Sequence, residues 1–143
     1  MNYIKDGDNF LISMAQDDDV IKSILTVVEK ENLHSAAISG IGAVKDVTLG
    51  FYNLSRKEYD QKPFSGNFEL VSCLGNVSEK EGEPFVHAHV SMSGPDFNTI
   101  SGHLFRAKIA VVGEFVLRPG EHKVVRKMED AGGLAVWDLY RAG

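Results

Sequence analysis

With a single cysteine, Cys73, this chain can form no internal disulfide and no cysteine-based zinc finger. It has no apolar run long enough to span a bilayer; Ile109 to Gly113, for example, is flanked by Lys108 and Glu114. Its start, Met-Asn-Tyr-Ile-Lys-Asp-Gly-Asp, lacks the basic-then-apolar pattern of a signal peptide. These absences predict a cytoplasmic protein with no membrane partner. Positive charge is also short: the formal net charge is -5 and the isoelectric point about 5.5. Nucleic-acid affinity comes largely from neutralising phosphates, so this balance argues against direct DNA binding by the domain acting alone. Gly40-x-Gly42 is too short for a dinucleotide fingerprint, and no P-loop lysine follows it. Tight turns and close strand packing explain those glycines, and no nucleotide cofactor is expected.

What is present suits one soluble domain. A chain of 143 residues, 43% hydrophobic and 24% charged, can bury a core without staples. No linker, low-complexity tract or repeat divides it, so residues 1–143 are read as a single domain. Phe10 to Met14 reads as a strand. Asp17-Asp-Asp19 then supplies a helix start, where a carboxylate caps free amides and others favour the positive end of the helix dipole. Val20, Ile21, Ile24, Leu25 and Val28 follow at helical spacing, predicting one main helix over about 18–32 with Asn32 at its end.

Further strands are expected at Ser35 to Ser39, Val44 to Tyr52, Phe68 to Leu74, Val86 to Met92 and His103 to Leu117, with Gly113 at a bulge or bend. Polar Asn53 to Pro63 suits an exposed connection, and Asp96 to Ser101 leaves room for a short second helix. Lys123 to Met128 and Leu134 to Tyr140 close the chain as strands about the Gly132-Gly133 turn. The sum is an α+β fold with a largely antiparallel sheet.

Three of the five histidines fall close together: His87, His89 and His103. Residues two apart on a strand share a face, so His87, His89 and Ser91 leave one side while Val86, Ala88, Val90 and Met92 form the core side. A hairpin through Gly94-Pro95-Asp96 would bring His103 beside the pair. Three imidazoles make a zinc set with one position open, and imidazole also accepts nickel, copper or iron. The plainer reading is a set of hydrogen-bonding interface histidines. Glu69 and Asp96 are candidates to orient the ring nitrogens by hydrogen bonding. The basic run Arg118, His122, Lys123, Arg126 and Lys127 is divided by strand alternation and reads as solvated surface. Cys73 reads as a core residue, and neither Ser91 nor Ser101 has a recognisable triad spacing.

The order Gly40-Ile-Gly42-Ala-Val44, Gly66-Asn-Phe-Glu-Leu70, His87-Ala-His89, Ser93-Gly-Pro-Asp96, Gly102-His103 and Val111-Val-Gly-Glu-Phe115 resembles the plants-and-prokaryotes-conserved (PPC or PCC) domain family. The resemblance implies an α+β homotrimer. In plants this domain follows an AT-hook in nuclear proteins and serves mainly in self- and partner association. This chain has the layout of the stand-alone prokaryotic members, many of them labelled as candidate DNA-binding proteins. It lacks the Arg-Gly-Arg-Pro hook core, which supplies the minor-groove contacts; Arg118-Pro119-Gly120 reads as a turn. The resemblance also implies a metal site at His87, His89 and His103. Two functions follow as expectations: a homotrimeric, DNA-associated or regulatory association module carrying that metal, or a zinc-dependent hydrolase, hydratase or small-ligand binder using the open metal position.

Overall fold

Alternating apolar residues build most of the molecule. The structure, a computed structural model, describes residues 1–129 and 132–139. Its elements are β1 (Asn2–Asp6), β2 (Asn9–Ala15), α1 (Val20–Lys30), β3 (Ala36–Asn53), β4 (Glu58–Lys80), β5 (Glu83–Ser93), β6 (Thr99–Pro119), β7 (Val125–Glu129) and β8 (Leu134–Trp137). In β2 the alternation is strict: Phe10, Ile12 and Met14 are buried and their neighbours face out. α1 opens on Asp19, whose carboxylate accepts from the Lys22 amide at 3.0 Å, and buries Val20, Ile24, Val27 and Val28. It ends just before Asn32, which takes a left-handed φ of 52° that asparagine tolerates. The helix is thus slightly shorter than the expected span.

Two expected strands are one. β3 runs unbroken through Gly40-Ile-Gly42 because those glycines permit a close crossing over β6. A Cβ on Gly40 would lie 2.2 Å from the Phe115 ring, and one on Gly42 would lie 2.3 Å from the Val112 carbonyl oxygen, at a φ of 152°. Register shifts between Gly40 and Gly42, and between Lys45 and Val47, bend the strand there. Gly113 lies where β6 takes up extra residues against β3, between the Gly42–Gly113 and Val44–Ile109 pairs.

Three other expectations are corrected. Glu58 to Pro63 belongs to β4 and is no loop: pairs such as Tyr52–Tyr59 and Leu49–Lys62 hold its backbone while its side chains, the half-buried Tyr59 apart, stay wet. There is no helix at Asp96 to Ser101. The Asp96 carboxylate accepts from the Asn98 amide at 3.2 Å and its side-chain nitrogen at 2.7 Å, and β6 begins at Thr99, paired with Ser93. Among the described residues α1 is the one α-helix. Polar β1, unforeseen, folds back on β2 around Gly7. The expected final strand ends at Trp137, and Tyr140 lies outside the described residues.

The sheet order is β1-β2-β6-β3-β4-β7-β8, with β5 joined to both β4 and β6, so β3, β4, β5 and β6 close into a ring. All pairs are antiparallel except the short β4–β7 contact. α1 covers β5 and β6. Beneath it lies one core containing Ile24, Ile38, Val44, Met92, Ile109 and Phe115. No described helix is long and apolar enough to cross a membrane.

Candidate metal centre

Strand alternation in β5 sorts its residues as expected. Val86, Ala88, Val90 and Met92 are buried; Phe85, His87, His89 and Ser91 take the opposite face. The β5–β6 hairpin sets His89 directly opposite His103. One nitrogen from each of His87, His89 and His103 lies within 4.8 Å of the others, and the ring centroids are 5.1 to 5.5 Å apart. Zinc–imidazole bonds of about 2.0–2.1 Å require the nitrogens to draw somewhat closer, a small ring rotation. Tyr59 and Phe105 wall the cluster, their centroids 4.7 and 4.8 Å from that of His103. Gly50, paired with His103, makes room for both: a Cβ there would lie 2.4 Å from the Phe105 ring and 2.9 Å from the Tyr59 ring.

The environment favours the neutral form of His87 and His103. Burial, then the neighbouring His87, His89 and Arg126, push His103 down to about 4. Burial, then Arg126 and His89, lower His87 as well. A neutral ring offers a lone pair without first losing a proton. His103 Nδ1 is buried and has no hydrogen-bond partner, which is costly unless something occupies it. Donor type, convergence and that orphaned nitrogen all fit a shared metal ion.

The residue missed by the sequence reading is Arg126. It leaves the solvated basic run and reaches the cluster, placing Nη2 3.3 Å from His87 Nδ1. It also donates from Nε to Ser78 Oγ at 2.8 Å, from Nη1 to the Ala135 carbonyl at 2.8 Å and from Nη2 to Asn76 Oδ1 at 2.9 Å. Its neighbours behave as surface charges should: Lys127 pairs with Asp138 and Lys123 with Glu79. Alternation separated Arg126 from Lys127, but only the folded path of β7 revealed which face was occupied.

The other candidates go elsewhere. Glu69 pairs with Ser93, four residues along β5 from His89 and so about 13 Å away at 3.3 Å per residue. Asp96 lies farther still, in the turn that it caps. Neither orients a cluster histidine. Ser91 Oγ and Ser101 Oγ bond each other at 2.9 Å, giving no triad. Cys73 is fully buried, and that burial pushes its thiol up to about 12.

One further feature adjoins the cluster. Leu74, directly opposite His89 across β4–β5, is 61% exposed and belongs to an apolar sheet face with Ile4, Leu11 and Ile41. These residues line a groove of about 710 Å³. A second hollow, sharing Ile41 and Glu114, extends the face to Val71, Val111 and Val112. Contiguous exposed apolar side chains of this kind are a feature of interaction surfaces.

Comparison with known proteins agrees with this architecture. The model of the Plants and Prokaryotes Conserved (PCC) domain matches residues 1–120. A plant- and prokaryote-conserved (PPC) protein of Pyrococcus horikoshii is 36% identical, with a TM-score of 0.85 over 92% of each chain. A protein of Archaeoglobus fulgidus described as metal-containing is 35% identical, with a TM-score of 0.85 over 92% of this chain and 93% of that one. A Bacteroides thetaiotaomicron protein, described as a candidate DNA-binding protein, is 28% identical, with a TM-score of 0.93 over 98% of each. No curated protein matches the chain.

Proposed function

Because this chain belongs to the Plants and Prokaryotes Conserved domain family, we propose that it is a metal-holding association module, a homotrimer carrying zinc at His87, His89 and His103. The observation that carries the metal reading is the convergence of three imidazoles with the buried, partnerless His103 Nδ1. The Archaeoglobus relative described as metal-containing supports it. Zinc is the first choice because imidazole suits it and a three-histidine set leaves one position open. The apolar face around Ile4, Leu11, Ile41 and Leu74 supports self-association, since a second copy would remove it from water. Residues 1–143 act as one domain in this reading, in the cytoplasm.

DNA enters through assembly or partners in this reading. The net charge is -5, and Lys45, Arg56, Lys123 and Lys127 each pair with a carboxylate. The net negative charge disfavours approach to phosphates by the chain as a whole. Binding to duplex DNA that weakens steeply with salt would instead support a direct grip.

A second reading, a zinc-dependent hydrolase or hydratase, has one observation in its favour: His89 faces solvent, so an open metal position would be accessible. Bound zinc would supply a water molecule that ionises near neutral pH. The chain's own part would be to hold neutral imidazoles and to wall the site with Tyr59 and Phe105. The cluster contains no carboxylate among the described residues to serve as general base, which favours binding over hydrolysis.

Elemental analysis of protein purified without a metal-affinity tag, combined with its mass in solution, tests the proposal. About one zinc per chain and a trimer mass are expected. Absence of metal at neutral pH would remove the first part, and a monomer mass the second.

A further inference from the structure

The β7–β8 hairpin contributes something that the histidine triplet lacks, a fixed positive charge with a directional fork. Arg126 has five N–H donors, and the structure supplies four acceptors: Ser78 Oγ, the Ala135 carbonyl, Asn76 Oδ1 and His87 Nδ1. Among the described residues one donor, on Nη1, is left over. Ser78 is buried and Phe85 stacks 5.3 Å from the guanidinium carbon, so the fork is held in place at the cluster's edge.

Charge balance then becomes decisive. A divalent ion on three neutral histidines beside Arg126 would gather about three positive charges in a half-buried site. Among the described residues no carboxylate joins the three histidines. Glu69 and Asp96 are too distant to help. We infer that the site is built to receive an oxyanion, one oxygen taking the open metal position and another the Arg126 guanidinium. Carboxylate and phosphate share this chemistry, and an oxygen of either can accept the one guanidinium N–H left over. The inference rests on the metal reading above and deepens it, making Arg126 a specificity-determining residue.

Trp137, the sole tryptophan, pairs in register with Arg126 across β7–β8 and provides a signal at the site. The test titrates zinc-loaded full-length protein with inorganic phosphate and, separately, with acetate. Calorimetry and Trp137 fluorescence report binding, and zinc content is measured on every sample. At least one anion is expected to bind the wild type, and whichever does identifies the class. Arg126→Gln should keep its zinc and bind that anion about 10-fold or more weakly, whereas Arg126→Lys should recover part of the affinity through its charge. Melting temperatures without anion show whether either variant has lost the hairpin; if Gln has, the decision falls on Lys, whose affinity must then lie below that of wild type. Equal affinity in wild type and a folded variant, or no anion binding by the zinc-loaded wild type, overturns the inference alone. A chain that takes up no zinc overturns the metal reading with it, and elemental analysis separates the two results.

Discussion

His89 and His103 stand directly opposite each other across the β5–β6 pair, with ring centroids 5.5 Å apart and ring planes 89° to one another. The hairpin places two imidazoles at one point without help from any other element, and His87 joins them two residues along the same strand. Single substitutions of His87, His89 or His103 by Ala should therefore each lower zinc affinity by about 100-fold or more, exceeding the 10–100-fold typical of a lost outer-shell partner. Competition against a chelator of known affinity measures this. Three variants that retain wild-type affinity would show that the cluster is not the metal site.

Acid should weaken the metal-free protein. His103 lies at about 4 in the fold against an ordinary 6.5, because burial penalises its charged form, and His87 is shifted in the same direction. Between those values the unfolded chain takes up a proton that the folded chain refuses. Stability from this source is complete above pH 6.5 and declines as pH falls toward 4. The urea midpoint should drop over that window, and His103→Gln should flatten the drop between pH 6.5 and 5. Parallel curves for the two proteins would contradict the assignment.

Helix α1 offers a graded pair of stability tests. Asp19→Ala removes the side-chain acceptor of the Lys22 amide and should cost about 1 kcal/mol. Ile24→Ala opens a void at a fully buried position and should cost about 2–5 kcal/mol. Urea denaturation in the presence of metal gives both values. A larger loss for Asp19→Ala than for Ile24→Ala would reverse the proposed order of capping and core packing.

Leu74→Glu should separate association from folding. The side chain is exposed within one chain, so the folded monomer should change by no more than about 0.5 kcal/mol. In an assembled apolar interface the new carboxylate would be driven from water without a partner. Gel filtration should show the mass falling about threefold from that of the proposed trimer, with the circular dichroism spectrum preserved. An unchanged mass would place the interface elsewhere.

Much of this arrangement was legible along the chain, for identifiable reasons. Phe10, Ile12 and Met14 declare β2 through period-two burial, and Asp19 with Val20, Ile24 and Val28 declares α1 through a cap and a period near 3.6. Glu58 to Pro63 was illegible because a strand segment with the single half-buried residue Tyr59 among exposed neighbours shows no apolar period. The run Asp96 to Ser101 misled because its polar residues serve a hairpin turn as readily as a helix start.

The sequence alone determined that His87 and His89 share a face opposite the core, since alternation on a strand is a local property of the backbone. It also supplied the turn that returns His103 toward them. Only the tertiary structure decided the register pairing His103 with His89, the burial that leaves His103 Nδ1 without a partner, and the exposed setting of Leu74 beside the site. Above all it decided Arg126, which lies 39 residues from His87 in sequence and 3.3 Å from it in space. Pairings at that separation depend on how β7 docks against β4, and no local period encodes such a contact.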